Sequence, residues 1–188
     1  MNVKQQRFQF YRFSLIAFAL LLFFGKAQAQ IIGVKTNVPA WATASLNAGV
    51  ELGFADQWSF EVNGLYNPFS WSEGKKTKVW AVQPEIRFWT IHRFAGHFLG
   101  IHAHYAMYDY GLKKYRYKGE LYGVGFAYGY AWMINKRFNI EATLGFGYTR
   151  VENEYRYDRK DSQIYLPPDP HDYWGLSKAA ISISYFLK

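Results

Sequence analysis

From Tyr122 to Trp132 the chain reads Tyr-Gly-Val-Gly-Phe-Ala-Tyr-Gly-Tyr-Ala-Trp, with a large apolar or aromatic residue at every even position and glycine or alanine at every odd one. Alternation over eleven residues is a period of two, the side-chain period of a β-strand. One face of this strand is entirely apolar and the other nearly bare. A soluble barrel of lipocalin type points large residues inward and polar ones outward, and no polar face exists here. The pattern instead suits a strand with one face against lipid and the other in a crowded interior.

The same period recurs in seven other segments. The expected strands are Ile31–Val38, Leu46–Phe54, Trp58–Tyr66, Val79–Trp89, Phe98–Tyr108, Tyr122–Trp132, Phe138–Thr149 and Leu176–Leu187. Most have nine to twelve residues, enough to span a bilayer at a barrel's tilt. A short link through Pro39-Ala40-Trp41 joins the first two. Short connections at 55–57, about 90–96 and 134–137 alternate with long polar ones at 67–77, 109–120 and 151–172. An even strand count and alternating loop lengths are the plan of bacterial outer-membrane barrels. The expected fold is therefore an all-β, eight-stranded, antiparallel, up-and-down transmembrane barrel. Pro68, Pro167, Pro168 and Pro170 fall in long connections, whereas Pro84 lies inside the fourth strand and calls for a bulge or a widened pair.

The first residues carry a different signal. Lys4, Arg7 and Arg12 precede the apolar run Leu15–Phe24, and Ala27-Gln28-Ala29 follows. Basic flank, short apolar core and small-x-small end describe a secretory signal peptide, and ten apolar residues are about half of a spanning helix. The expected division is 1–29 signal peptide and 30–188 barrel, placing the chain in the outer membrane of a Gram-negative envelope. With no cysteine, disulfides, thiolate metal sites and attachment through a lipidated cysteine are excluded. The net charge of +8 includes Lys4, Arg7, Arg12 and Lys26, so the remainder is near +4, too little to argue for a nucleic-acid partner.

Several stretches resemble the Bacteroidetes family of domain of unknown function 3575: Val34–Asn37, Tyr66–Phe69, Val82–Trp89, Gly96–His102 and Lys178–Ser182. The resemblance implies an outer-membrane barrel, similar in plan to the OmpA-type eight-stranded barrel. It assigns no activity, and it implies an association with genes for surface fimbriae.

By strand parity the lumen receives Lys35, Glu51, Glu61, Glu85, Arg87, His102, His104, Glu141 and Lys178. Glu51 and Glu61 stand five residues either side of Asp56, so a turn centred there makes them cross-strand neighbours. Carboxylates gathered in this way need a central counter-charge, and Arg87 is the candidate, with Lys35 and Lys178 completing the set. An eight-stranded interior is just wide enough for side chains to fill, so the network is expected to plug the lumen rather than conduct. His102 and His104, two apart on one face, could chelate a metal with Glu85 or Glu141, but two ligands rarely define a site and hydrogen-bonding filler is the better reading.

No nucleophile motif such as Gly-x-Ser-x-Gly occurs, and the mid-strand histidines and glutamates face away from lipid. The chain thus reads as a non-enzyme with no cofactor and no metal, acting as a structural or surface-interaction protein. A lipid-modifying enzyme and a narrow pore are the alternatives. The aromatic and cationic stretch Tyr108–Lys118 suits a membrane interface beneath lipopolysaccharide phosphates. The expected partners are outer-membrane lipid and lipopolysaccharide, and a surface protein met by the loops 67–77, 109–120 and 151–172.

Overall fold

A computed structural model describes residues 31–69, 76–112, 115–158, 164–166 and 170–187. The expected signal peptide, residues 1–29, lies outside them. The elements are β1 (Ile31–Asn37), α1 (Val38–Ala42), β2 (Leu46–Ala55), β3 (Trp58–Asn67), β4 (Lys76–Trp89), β5 (Gly96–Leu112), β6 (Tyr115–Met133), β7 (Phe138–Asp158), β8 (Ile164–Leu166) and β9 (His171–Leu187). Eight are long strands, all antiparallel to their neighbours in one sheet. β1 to β7 pair in succession, β9 pairs with β7, and β9 pairs again with β1, so the pairings form a ring. β8 is a short addition to β7.

The alternation dictates the two faces. On β6, Phe126 and Tyr128 are exposed while Gly125, Ala127 and Gly129 are buried inside the ring. Bulk on β5 explains the bare face of β6. His104, His102 and Phe98 pair with Gly123, Gly125 and Gly129. A Cβ on Gly125 would sit 2.8 Å from the His102 ring, one on Gly123 would sit 2.8 Å from that of His104, and one on Gly129 would strike Phe98. The glycines thus make room for β5's large inward side chains.

Two expectations need correction. The segments 109–120 and 151–172 are not loops over most of their length: β5 and β6 run on to Leu112 and from Tyr115, β7 continues to Asp158, and β9 begins at His171. Polar composition does not oppose strand where both faces meet water. Cross-strand pairs such as Asp109 with Lys118, and Tyr110 stacked on Tyr117 at 5.1 Å, support the extension. The Pro39-Ala40-Trp41 link is the helix α1, with proline in its first turn, where the missing N–H costs nothing. At Pro84, where a bulge or a widened pair is expected, the structure has no bulge but an opened ladder. The β4–β5 register is the same on both sides of it, and the ladder merely skips Gln83 and Pro84.

The ring has two unlike ends. At the end of the tight turns, Trp89, Phe94, Phe98, Ala131 and Phe186 form a buried apolar cluster. Phe94 adopts φ +68°, a left-handed conformation costing about 1–2 kcal/mol, and thereby packs on Phe186 at 4.7 Å and Trp89 at 5.9 Å. At the other end α1 takes over from β1. β1 pairs only with Ser182–Leu187 of β9, and above it the Ile181 N–H donates to the Asn37 carboxamide oxygen at 3.3 Å.

Candidate functional site

One pairing level of the ring carries charge on one side and nothing on the other. Glu51 pairs with Glu61, Glu61 with Glu85, and Glu85 with His102, across β2 to β5. The same row continues through Gly125 of β6 and Gly147 of β7 to Gly175 of β9. Three directly opposed carboxylates would repel strongly without cations between them. The cations come from the neighbouring inward positions.

Arg87 of β4 reaches Glu61 and Glu141 through Nη1 at 2.6 and 2.9 Å, Glu51 at 3.4 Å, and Glu85 through Nε at 2.6 Å. Lys35 of β1 is as central: its ammonium contacts Glu51, and lies 2.6 Å from Glu61 and 2.8 Å from Glu141. Lys178 of β9 lies 2.7 Å from Glu85 and 3.5 Å from Glu61. Glu51, Glu61, Glu85, Arg87 and His102 are each 1 % exposed or less. Each cation bridges several carboxylates from different strands, which is the condition for charged groups to stay ionised away from water.

Neutral groups complete the shell. Ser59 donates to Glu51, Thr143 donates to Glu141 at 3.2 Å, and Asn63 donates to Glu61. The Trp89 indole N–H donates to Ser59 at 2.8 Å, and the Phe98 ring lies 4.3 Å from the Arg87 guanidinium carbon. These contacts join the charged cluster to the apolar cluster beneath it. The sequence reading missed Ser59, Trp89, Phe98 and Phe186. Their parity was available: Trp89 shares a face with Arg87, Phe98 with His102, and Phe186 with Ser184.

The histidines sit at the margin. His102 Nε2 faces Ser177 Oγ at 2.9 Å and its Nδ1 lies 3.8 Å from Glu85. His104 Nε2 faces Thr149 Oγ1 at 2.9 Å, and the two rings are 5.8 Å apart. Beyond the charged floor, toward the α1 end, lies a cavity of about 290 Å³. Its walls include Asn63, Gln83, His104 and Ser177, with Leu65, Ala106 and Leu121 as an apolar collar.

The architecture is that of an all-antiparallel, up-and-down β protein with eight long strands and a buried multi-strand ion cluster. The chain belongs to the family described as "Protein of unknown function (DUF3575)", which it matches over residues 15–187. No curated protein matches it.

Proposed function

We propose that the ring is a closed outer-membrane barrel, exported by residues 1–29, whose charged interior blocks conduction and whose outer end meets an envelope partner. The carrying observation is the outward face. Val50, Val62, Ile86, Leu99, Ile101, Val124, Phe126, Leu144, Phe146, Ile181 and Ile183 are all exposed and belong to seven different strands. A water-soluble protein rarely exposes so continuous an apolar surface.

Aromatic residues bracket this band on both sides. Trp58, Phe88, Tyr128, Trp132, Phe138 and Tyr185 lie toward the tight turns, and Tyr66, Trp80, Tyr105, Tyr122, Tyr148 and Trp174 toward the other end. In β3, β4 and β7 the two sets are separated by eight residues (Trp58 to Tyr66, Trp80 to Phe88) or ten (Phe138 to Tyr148). At roughly 3.3 Å per residue and a tilt of roughly 40°, that is about 20–25 Å, the height of a barrel's apolar band. Above the outer set, Lys78, Asp109 and Lys118 stand in one paired row, where cations meet lipid phosphates.

Beyond that row β5, β6 and β7 continue as a strand extension, a rigid surface for a fimbrial or other envelope component. A mature chain in detergent should change gel mobility on heating and carry no steady current in a planar bilayer. Recovery from periplasm without detergent would refute the membrane reading, and stable open-channel currents would refute the plug. Deleting residues 159–170 should preserve the heat shift and abolish crosslinking to a surface partner on intact cells; unchanged crosslinking would remove the outer end from the partner reading.

A further inference from the structure

The charged interior holds a group that its ion pairs do not explain. Ser177 occupies the extra position of a β-bulge in β9: Gly145 pairs with Lys178, and Phe146 with Leu176. The bulge turns Ser177 and Lys178 both inward, although neighbours in a regular strand point oppositely. Ser177 thereby lines the 290 Å³ cavity and meets His102 Nε2 at 2.9 Å. The other ring nitrogen, Nδ1, is buried with no hydrogen-bond partner among the described residues, and Glu85 Oε2 faces it at 3.8 Å. Arg87 and Lys178 clamp that carboxylate at 2.6 and 2.7 Å. Gly125 and Gly145 leave the space that the imidazole fills.

We propose that Ser177, His102 and Glu85 form an acyl-transfer site that hydrolyses small carboxylic esters entering this cavity. A hydroxyl hydrogen-bonded to an imidazole, with a fixed carboxylate behind the ring, is the arrangement that activates a serine. Ser177 and His102 are the catalytic residues, and Glu85 is a positioning residue that keeps the ring proton on Nδ1. Ser177 Oγ attacks the ester carbonyl carbon while its proton passes to His102 Nε2. The carbonyl–alkoxy bond breaks, and the alcohol leaves with that proton. Water then attacks the acyl–serine ester, again giving a proton to His102, and the carboxylic acid and free Ser177 result. Gln83 and Lys178 line the same cavity and bring N–H donors to it for the developing oxyanion.

The cavity sets the substrate class. Its volume equals about ten water molecules at roughly 30 Å³ each, so the ester is small. The apolar collar of Leu65, Ala106 and Leu121 takes the acyl group, and the polar floor holds the reacting end. The neighbouring pair His104–Thr149 has the same 2.9 Å contact, but among the described residues no carboxylate pairs with His104, and the Thr149 hydroxyl, unlike that of Ser177, does not line the cavity. It serves as an internal control.

The test uses the mature chain folded in detergent, verified by its heat shift, and a short-chain alkyl fluorophosphonate. Ser177 Oγ should bond to phosphorus with loss of fluoride, giving one adduct that peptide mapping places at Ser177. Ser177→Ala and His102→Gln should lose at least about 100-fold in labelling rate and in p-nitrophenyl acetate hydrolysis, while Thr149→Ala retains both. In Glu85→Gln the His102 ring proton should move from Nδ1 to Nε2, read by ¹⁵N NMR of the ring. The proposal is overturned if folded wild-type protein labels no faster than heat-unfolded protein, or at another residue. It is likewise overturned if Thr149→Ala loses as much rate as Ser177→Ala, or if Glu85→Gln keeps the Nδ1 proton. The folded-against-unfolded comparison stands even where a variant fails to fold. A wild-type chain lacking any heat shift would count against the barrel reading instead.

Discussion

The β2–β5 wall and the β6–β9 wall face each other across the same interior and are built on opposite principles. At one pairing level the first contributes Glu51, Glu61, Glu85 and His102, and the second Gly125, Gly147 and Gly175. At that level bulk and charge come from one half and room for them from the other, while Glu141 of β7 and Lys178 of β9 join the cluster from neighbouring levels. A ring of this width cannot hold two bulky walls at one height, because interiors pack to crystal-like density. The charged wall is held by bridging cations, Arg87 from within it and Lys35 and Lys178 from β1 and β9. The bare wall is held by close backbone approach.

That comparison is broken most severely at Arg87. Arg87→Ala leaves Glu61, Glu85, Glu51 and Glu141 with Lys35 and Lys178 as the remaining Lys or Arg partners among the described residues. Removing one partner of a buried ion cluster costs about 3–5 kcal/mol, more than the contact itself is worth. The midpoint of urea unfolding in micelles should fall accordingly. Arg87→Lys should recover only part of the loss, since one ammonium cannot replace both Nε and Nη1 at 2.6 Å from two different carboxylates.

The bare wall should fail by crowding. In Gly125→Ala the new methyl carbon meets the Phe146 carbonyl at 2.7 Å, and the His102 ring and Ser177 hydroxyl at 2.8 Å. A carbonyl held in a ladder cannot rotate away, so a cost of about 1–3 kcal/mol is expected. Gly64→Ala is the contrast: its nearest neighbour would be the Ala48 carbonyl at 3.8 Å, and the unfolding midpoint should hardly move. Equal losses at the two positions would mean that the glycines serve strand flexibility rather than interior space.

The two walls were not equally legible in sequence. Parity placed the acids, Arg87 and both lysines on one face, because charged residues among apolar alternation stand out. The tight turn at Asp56 fixed the Glu51–Glu61 pairing, which Ser59 opposite Gly53 continues. Lys35 was harder to place, since its height depends on how β1 registers against β9, a long-range pairing that no local turn sets. Inward aromatics were hidden by the assumption that aromatics face lipid; Trp89, Phe98 and Phe186 follow parity instead. Ser177 was invisible, because a bulge breaks the parity by which every other inward residue was read. The strand extensions beyond Tyr108, Tyr122 and Thr149 were misread as loops, since pairing beyond the apolar band leaves no hydrophobic period.

A smaller effect sharpens how the charged wall rests on the aromatic cluster. Trp89→Phe keeps the ring against Phe98, 4.7 Å away, but deletes the indole N–H that Ser59 accepts at 2.8 Å. Ser59 can still donate to Glu51. One hydrogen bond between buried neutral groups is lost without stranding a charge, so about 1 kcal/mol is expected. A loss approaching that of Arg87→Ala would show that the indole holds Glu51 in place through Ser59.

The smallest effect is expected outside the ring, where the same residue chemistry meets solvent. Arg150 contacts Glu152 at 2.7 Å and Asp172 at 3.1 Å, and Tyr148 donates to Asp172 at 2.7 Å. The hydrogen bond from Arg150 holds the Glu152 carboxyl below its ordinary pKa. These groups are about a third to a half exposed, so water and salt screen them, and each already has solvent as an alternative partner. Arg150→Met should therefore shift the unfolding midpoint less than any interior change above, and the difference should fade as ionic strength rises. Glu152 with its pKa lowered contributes above its unfolded pKa and loses that contribution as pH falls, so the small deficit of Arg150→Met should also shrink in acid. Arg87→Ala should show neither salt dependence, because ions do not reach a cluster at 1 % exposure. If Arg87→Ala were softened by salt as much as Arg150→Met, mobile ions would reach the interior cluster, and the contrast between an unscreened charged wall and a screened outer cluster would fail.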